Sequence, residues 1–305
     1  MICNNDNIIV ISKHIREGEH NVLKCKECNF IFLHNYSAID YSFNYGGLTL
    51  SNDWSDQEAL VKRSVSLERF NEEVADLILY KNNCNVLEIG SGNGASIYGL
   101  NKLIGISTID CVELNNDDKK YLENKFDVCV YSNILDVEKK YQIVYGHHVF
   151  EHFTDPKRTL DEINNITSED CKLYFSLPNF DDFYSHTLND EQKDKYLTFN
   201  FHAAHPYYYT IETFSNLIEA TPWKISKIST IQDYSVVNYF NWYINGSRSK
   251  DIESGTKVNK NIEQLNNSFI TLSGVVLPTY DLSLKSVLYK ANSEPIPGDP
   301  LHSNT

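Results

Sequence analysis

Residues 86–94 read Val86-Leu87-Glu88-Ile89-Gly90-Ser91-Gly92-Asn93-Gly94, an apolar run that passes straight into a turn with glycine at every second position. A short apolar run bounded by glycines reads as a buried strand. Glycine lets the backbone turn sharply and approach a ligand where a Cβ would collide. A helix begins directly after the turn, and its free N–H groups face the same ligand. The spacing is G-x-G-x-G, not the dinucleotide G-x-G-x-x-G, and Glu88 stands two positions before the first glycine. This pattern suits a ligand carrying a cationic amino acid and a ribose better than one carrying a pyrophosphate.

A second strand is expected over Ile106–Val112, and Glu113 closes it, 19 residues after Gly94. A carboxylate at that strand end can accept hydrogen bonds from both ribose hydroxyls. In Glu88, Gly90, Gly92, Gly94 and Glu113 the chain resembles the class I S-adenosylmethionine-dependent methyltransferases. The resemblance implies an α/β fold, a doubly wound Rossmann-like sheet of seven strands, with S-adenosyl-L-methionine as cofactor. It also implies cofactor contacts at Glu88, Gly90, Ser91, Gly92, Gly94, Glu113 and Leu114.

The 305 residues are 41% hydrophobic and 12% aromatic, enough for a sizeable core. No apolar run is long enough to span a bilayer and no signal peptide is evident, so membrane insertion is not expected. Seven cysteines, an odd number placed mostly within apparent strands, read as reduced core residues in a cytoplasmic protein. A net charge of −14 without a basic stripe argues against nucleic acid as partner. The expected partner is a small-molecule acceptor, and the expected state a monomer or homodimer.

Residues 1–50 read as an irregular appendage. Cys25-Lys26-Glu27-Cys28 is half of a zinc ribbon whose other half is missing. Residues 51–230 read as the cofactor-binding core, 231–290 as an aromatic acceptor region and 291–305 as a flexible tail. Apolar spacing predicts a helix over 54–80. Strands follow at 85–89, 107–112, 126–131, 142–146 and 172–177, with helices near 94–103, 116–123 and 156–165, the alternation of a parallel sheet. After the third strand, Ile134 and Leu135 are expected as apolar walls of an adenine site, with Asp136 accepting from the adenine amino group.

The fourth strand ends in Gly146-His147-His148-Val149-Phe150-Glu151-His152-Phe153-Thr154-Asp155-Pro156. This stretch resembles the H-V-L-E-H-x-x-D-P segment of a broad bacterial methyltransferase group, with Phe150 in place of leucine. Histidine is the usual base near neutral pH, so His148 and His152 are candidate bases, and His148 is also a candidate cofactor contact. Asp155-Pro156 is a helix start. Asn179, after the fifth strand, is expected on the acceptor side.

Residues 180–209 read as an irregular aromatic lid insertion carrying His202, His205 and Tyr207. His205 is the favoured base, because the resembling group often has a histidine just before a helix there. Gln232, Tyr234, Asn238, Trp242 and Gly246 match a segment found in methyltransferases of bacterial surface-polysaccharide pathways. Tyr234 and Asn238 join Asn179, His202 and Tyr207 as candidate acceptor contacts. Together these features imply O-methylation of a sugar or nucleotide-linked glycan precursor. The alternatives are N- or C-methylation of another small molecule, a non-catalytic scaffold of the same fold, and a nicotinamide oxidoreductase, which the glycine spacing disfavours.

Overall fold

The computed structural model describes residues 6–42, 57–101, 103, 106–231, 236–248 and 283–290. Tyr234 and the segments 249–282 and 291–305 lie outside the described residues. The chain divides into two compact units, each assembled from three separate stretches.

The first unit comprises Met1–Tyr36, Leu177–Phe214 and Ser229–Lys285. The N-terminal region, expected to be irregular, forms strands β1 (Ile8–Ile15), β2 (Gly18–Cys25) and β3 (Ile31–Leu33). These pair antiparallel in order, and β3 then pairs antiparallel with β9 (Tyr207–Tyr208). Their apolar face holds Ile15, Val22, Ile31 and Leu33 against Phe201 and Tyr208. Cys25 is buried at the end of β2, its N–H donating to the Phe30 carbonyl, and Cys28 is half-buried in the turn between. Among the described residues no further ligating side chain completes a metal-sized cluster with this pair.

The expected irregular lid holds two helices, Phe183–Thr187 and Asp190–Asn200, each started by a side-chain cap. Asp182 accepts from the Ser185 N–H and Asn189 from the Gln192 N–H. Short polar residues at N-caps satisfy free N–H groups, a signal carried by Asp182 and Asn189 themselves. A third helix, Val236–Asn245, turns Trp242 into a cluster with Tyr184, Leu188 and Tyr196.

The second unit comprises Ser37–Ser176, Ser215–Ile228 and Ser286–Thr305. Two helices, α1 (Gln57–Ser66) and α2 (Glu68–Lys81), replace the single helix expected over 54–80. The break falls at Leu67, whose N–H is shared between the Arg63 and Ser64 carbonyls while its side chain stays buried. Then come β4 (Cys84–Ile89), α3 (Ala95–Leu100), β5 (Ile106–Val112), α4 (Asn116–Lys125), β6 (Val130–Tyr131), β7 (Tyr141–His147), α5 (Pro156–Asn165) and β8 (Thr167–Pro178). Strand β6 is far shorter than the expected 126–131. Helix α4 runs on to Lys125, and the Phe126 N–H still closes on the Leu122 carbonyl.

Strands β10 (Trp223–Ile231) and β11 (Ser283–Lys290) complete a sheet of order β10-β11-β8-β7-β4-β5-β6. Pairing is parallel from β8 through β7, β4 and β5 to β6. Strands β4 and β7 are buried along nearly their whole length, as expected of a parallel sheet covered on both faces. The order steps outward from β4 in both directions, which puts the carboxyl ends of β4 and β7 side by side where the winding reverses. Ligands of open α/β sheets bind at such a switch point.

Asp110, buried in β5, accepts from the Lys139 Nζ at 2.9 Å, the Tyr141 hydroxyl at 2.7 Å and the Cys129 N–H at 3.1 Å. It thereby ties β5 to the approach of β6 and the start of β7. Asp110→Ala strands three donors and should cost about 3 kcal/mol or more in denaturant unfolding. Lys139→Ala, at a half-exposed side chain, should cost about 1 kcal/mol or less.

Candidate active site

A cavity of about 590 Å³ opens at the carboxyl edge of the parallel strands of the second unit. Gly90 and Gly92 line it from the turn after β4, Glu113, Leu114 and Asn115 from the end of β5, and Asn133 and Ile134 from the loop after β6. His148, Val149 and His152 come from the loop after β7, Asp118 from α4, and Thr159 and Glu162 from α5. Ala38, Ile39 and Tyr41 close it from the preceding segment.

Two of the three turn glycines do different work. Gly92 has φ +51° and a Cβ there would meet nothing within 4 Å, so its bare backbone faces open space in the cavity. Gly94 has φ +74° and a Cβ would lie 2.6 Å from Leu122 and Phe126, so it lets α3 seat against α4. Glu113 accepts the Gly92 N–H at 2.7 Å on one carboxylate oxygen and the Asn115 N–H at 2.8 Å on the other. Each oxygen keeps a second lone pair for a ligand hydroxyl.

Glu88, Ser91 and Gly94, expected as ligand contacts, are buried and do not form the cavity wall. Burial pushes the Glu88 carboxyl up to about 8, with the Ser91 hydroxyl opposing, the Glu113 charge adding to the rise and Tyr145 opposing. Its Oε2 meets no donor at hydrogen-bonding geometry, and nor does the buried Asn93 Nδ2 meet an acceptor. Asp118 is also raised, to about 6, by burial and then by the charges of Glu113 and Asp117. The edge thus holds three carboxyl groups, two of them raised by lost hydration, an environment that favours a cationic guest.

In the loop after β6, Ile134 lines the cavity, but Leu135 and Asp136, expected beside it, are exposed and do not. The turn Ile134–Asp136 is a single 3-10 turn, capped by the Asn133 side chain, that points only its first residue inward. Thr159 and Glu162 were missed, since nothing in the spacing of α5 says which face meets the cavity.

His148 has φ +51°, its N–H donates to the Ser176 carbonyl, and its Nδ1 lies 3.2 Å from Glu151 Oε1. Glu151 is 2% exposed, so the carboxylate beside His148 is shielded from solvent. His152 Nδ1 pairs with the Tyr41 hydroxyl at 2.9 Å. The other candidates lie in the first unit. His205 stacks on His202, whose Nδ1 accepts the Ala204 N–H and whose Nε2 is 3.2 Å from Glu17. Asn179 folds its amide back onto the Asp181 backbone, and Tyr207 stands half-buried beside Phe30. Asn238 is fully buried, donating to the Tyr184 hydroxyl.

A family model described as a methyltransferase domain matches residues 57–227. The chain belongs to that family. It is a methyltransferase whose methyl donor is S-adenosylmethionine. The open approach at Gly92, the remaining lone pairs of Glu113 and the unpartnered Oε2 of Glu88 fit the cofactor's cationic and ribose groups. Among solved structures, the plantazolicin methyltransferase BpumL with SAH is 18% identical, covering 79% of this chain and 93% of its own, at a TM-score of 0.45. A SAM-dependent methyltransferase from Archaeoglobus fulgidus is 18% identical over 76% of this chain and 94% of its own, at 0.46. Coclaurine N-methyltransferase bound to N-methylheliamine and SAH is 15% identical over 83% and 75%, at 0.46. No curated protein sequence matches. At these identities the neighbours add no argument to the family match. Among the described residues, no helix of the methyltransferase is long and apolar enough to cross a membrane.

Gly92→Ala places a Cβ in the cavity and should abolish measurable S-adenosylhomocysteine binding in calorimetry, while costing about 1–2 kcal/mol of stability. Gly94→Ala, driven into Leu122 and Phe126, should be the more destabilised of the two in thermal unfolding.

A carboxyl whose folded value is raised binds more protons in the native state, so stability falls as pH rises from its unfolded value through about 8. Unliganded wild type should therefore lose on the order of 2 kcal/mol relative to Glu88→Gln between pH 6 and 8, read from denaturant midpoints.

Proposed function

We propose that the enzyme transfers the methyl group to a hydroxyl of a sugar or nucleotide-linked glycan precursor, with His148 as general base. The observation that carries this reading is the His148–Glu151 pair at the cavity wall. A carboxylate at Nδ1 favours the tautomer with its proton there and leaves Nε2 to accept a proton from the acceptor. A hydroxyl is a weak nucleophile until its proton is taken, whereas an amine need only be deprotonated beforehand. A positioned histidine therefore speaks for oxygen as the acceptor atom.

S-adenosylmethionine supplies a methyl group on a positively charged sulfur. The protein's part is to align the acceptor oxygen with that methyl and to receive the released proton at His148. The carboxyl groups of Glu113 and Asp118, which line the cavity, hold the cationic cofactor at the strand edge, with Glu88 buried behind the wall. The sugar class of the acceptor is supported by the sequence resemblance at 232–246.

His148→Ala should lower kcat by about 10²–10⁴ and change S-adenosylhomocysteine affinity by only a few-fold. Glu151→Gln should fall between the variant and wild type. In a pH–rate profile with sugar nucleotides as acceptors, the acid limb should vanish in His148→Ala. An unchanged limb, or turnover only with amine acceptors, would remove His148 as base and the hydroxyl with it.

A further inference from the structure

We infer that Glu162, on α5, is the residue that recognises the adenine 6-amino group of the cofactor and so makes the site specific for adenosine. The inference rests on S-adenosylmethionine as the cofactor. It assigns to Glu162 the role that the sequence alone suggested for Asp136.

The cofactor is a linear string: amino acid, sulfonium, ribose, adenine. The wall it lies on is also linear. Successive parallel strands β7, β4, β5 and β6 bring His148, Gly92, Glu113 and Ile134 to one edge in that order. Three strand spacings of about 4.8 Å make that edge about 14 Å long. Glu113 fixes the ribose near its middle, because its oxygens keep lone pairs for vicinal hydroxyls. The acidic turn and the histidines occupy one side of Glu113, so the amino-acid end lies there. The adenine must then extend toward Asn133 and Ile134.

At that end a purine amino group needs an acceptor. The Asn133 side-chain oxygen already accepts the Leu135 N–H as a cap, and as an exposed neutral amide with one lone pair left it is a weaker acceptor than a carboxylate. Asp136 is exposed and off the cavity wall. Asp118 sits on the first turn of α4 close to Glu113, on the ribose stretch. Glu162 remains. Helix α5 packs against the turn Ile134–Asp136, and Thr159 and Glu162, one turn apart on one helical face, both line the cavity. The Glu162 side chain is 20% exposed and its Oε1 accepts from Arg158 Nε at 2.8 Å. That contact fixes the carboxylate and leaves it further lone pairs for a donor in the cavity.

The test compares S-adenosylhomocysteine with S-inosylhomocysteine, in which an oxygen replaces the 6-amino group. Both are titrated by calorimetry into wild type, Glu162→Gln, Asp118→Asn and Asp136→Asn. Wild type should prefer the adenosyl ligand by about tenfold or more, since the carboxylate accepts from an amine and repels an oxygen. Glutamine offers both a donor and an acceptor, so Glu162→Gln should bring the two affinities within about twofold, chiefly by tightening the inosyl ligand. Asp118→Asn and Asp136→Asn should keep the wild-type ratio. The ratio is taken on one preparation, so a partly unfolded sample does not shift it. An unchanged ratio in Glu162→Gln, or a collapse in either aspartate variant alone, overturns the assignment. If wild type binds neither ligand, the cofactor reading itself fails, an outcome distinct from a preserved preference.

Discussion

The hydrogen bond from the Gly92 N–H to the Glu113 carboxylate organises the functional edge. Strands β4 and β5 end in register, Ile89 beside Val112, so the turn leaving one strand lies against the residue that closes the other. The carboxylate takes one backbone donor from each loop and thereby sets the shape of both. Asn115, held by the same carboxylate through its N–H, uses its own side chain to cap α4 on the Asp117 and Asp118 N–H groups. Turn, carboxylate, loop and helix start are one continuous set of contacts. A ligand that engages Glu113 meets a group already fixed in place.

The electrostatics of this edge follow from burial more than from charge count. A protein with an excess of acidic residues is well served in solubility by exposed ones. Glu88 is different, because it is almost without solvent and sits near a second carboxylate. Burial makes it hold a proton more readily than an exposed carboxyl does.

The parallel sheet and its glycine turn were legible in the sequence because both signals are local. Ile143–Tyr145 is an unbroken apolar run, Val86–Ile89 is interrupted only by Glu88, and a glycine turn between strand and helix has few other uses. The start of α5 was readable from Asp155-Pro156 for the same reason. The N-terminal strands were not. Their burial alternates irregularly, with register shifts between Val10 and His14, and their final partner lies far along the chain. At the site, Glu113 could be found by position in the motif, whereas Glu162 could not. Its place depends on which face α5 turns to the Ile134–Asp136 turn, a tertiary fact with no local trace. Leu135 and Asp136 misled for the converse reason, since a 3-10 turn of three residues sends them outward.

The pairing of β3 with Tyr207–Tyr208 has a consequence for biogenesis. Ile31 and Phe32 leave the ribosome long before their partners exist. At 5–20 residues per second the wait is on the order of ten seconds or more. During that time the outer edge of β3 presents unpaired N–H and C=O groups, a template for another nascent chain. The first unit is thus bound to finish its sheet only after most of the second has been synthesised.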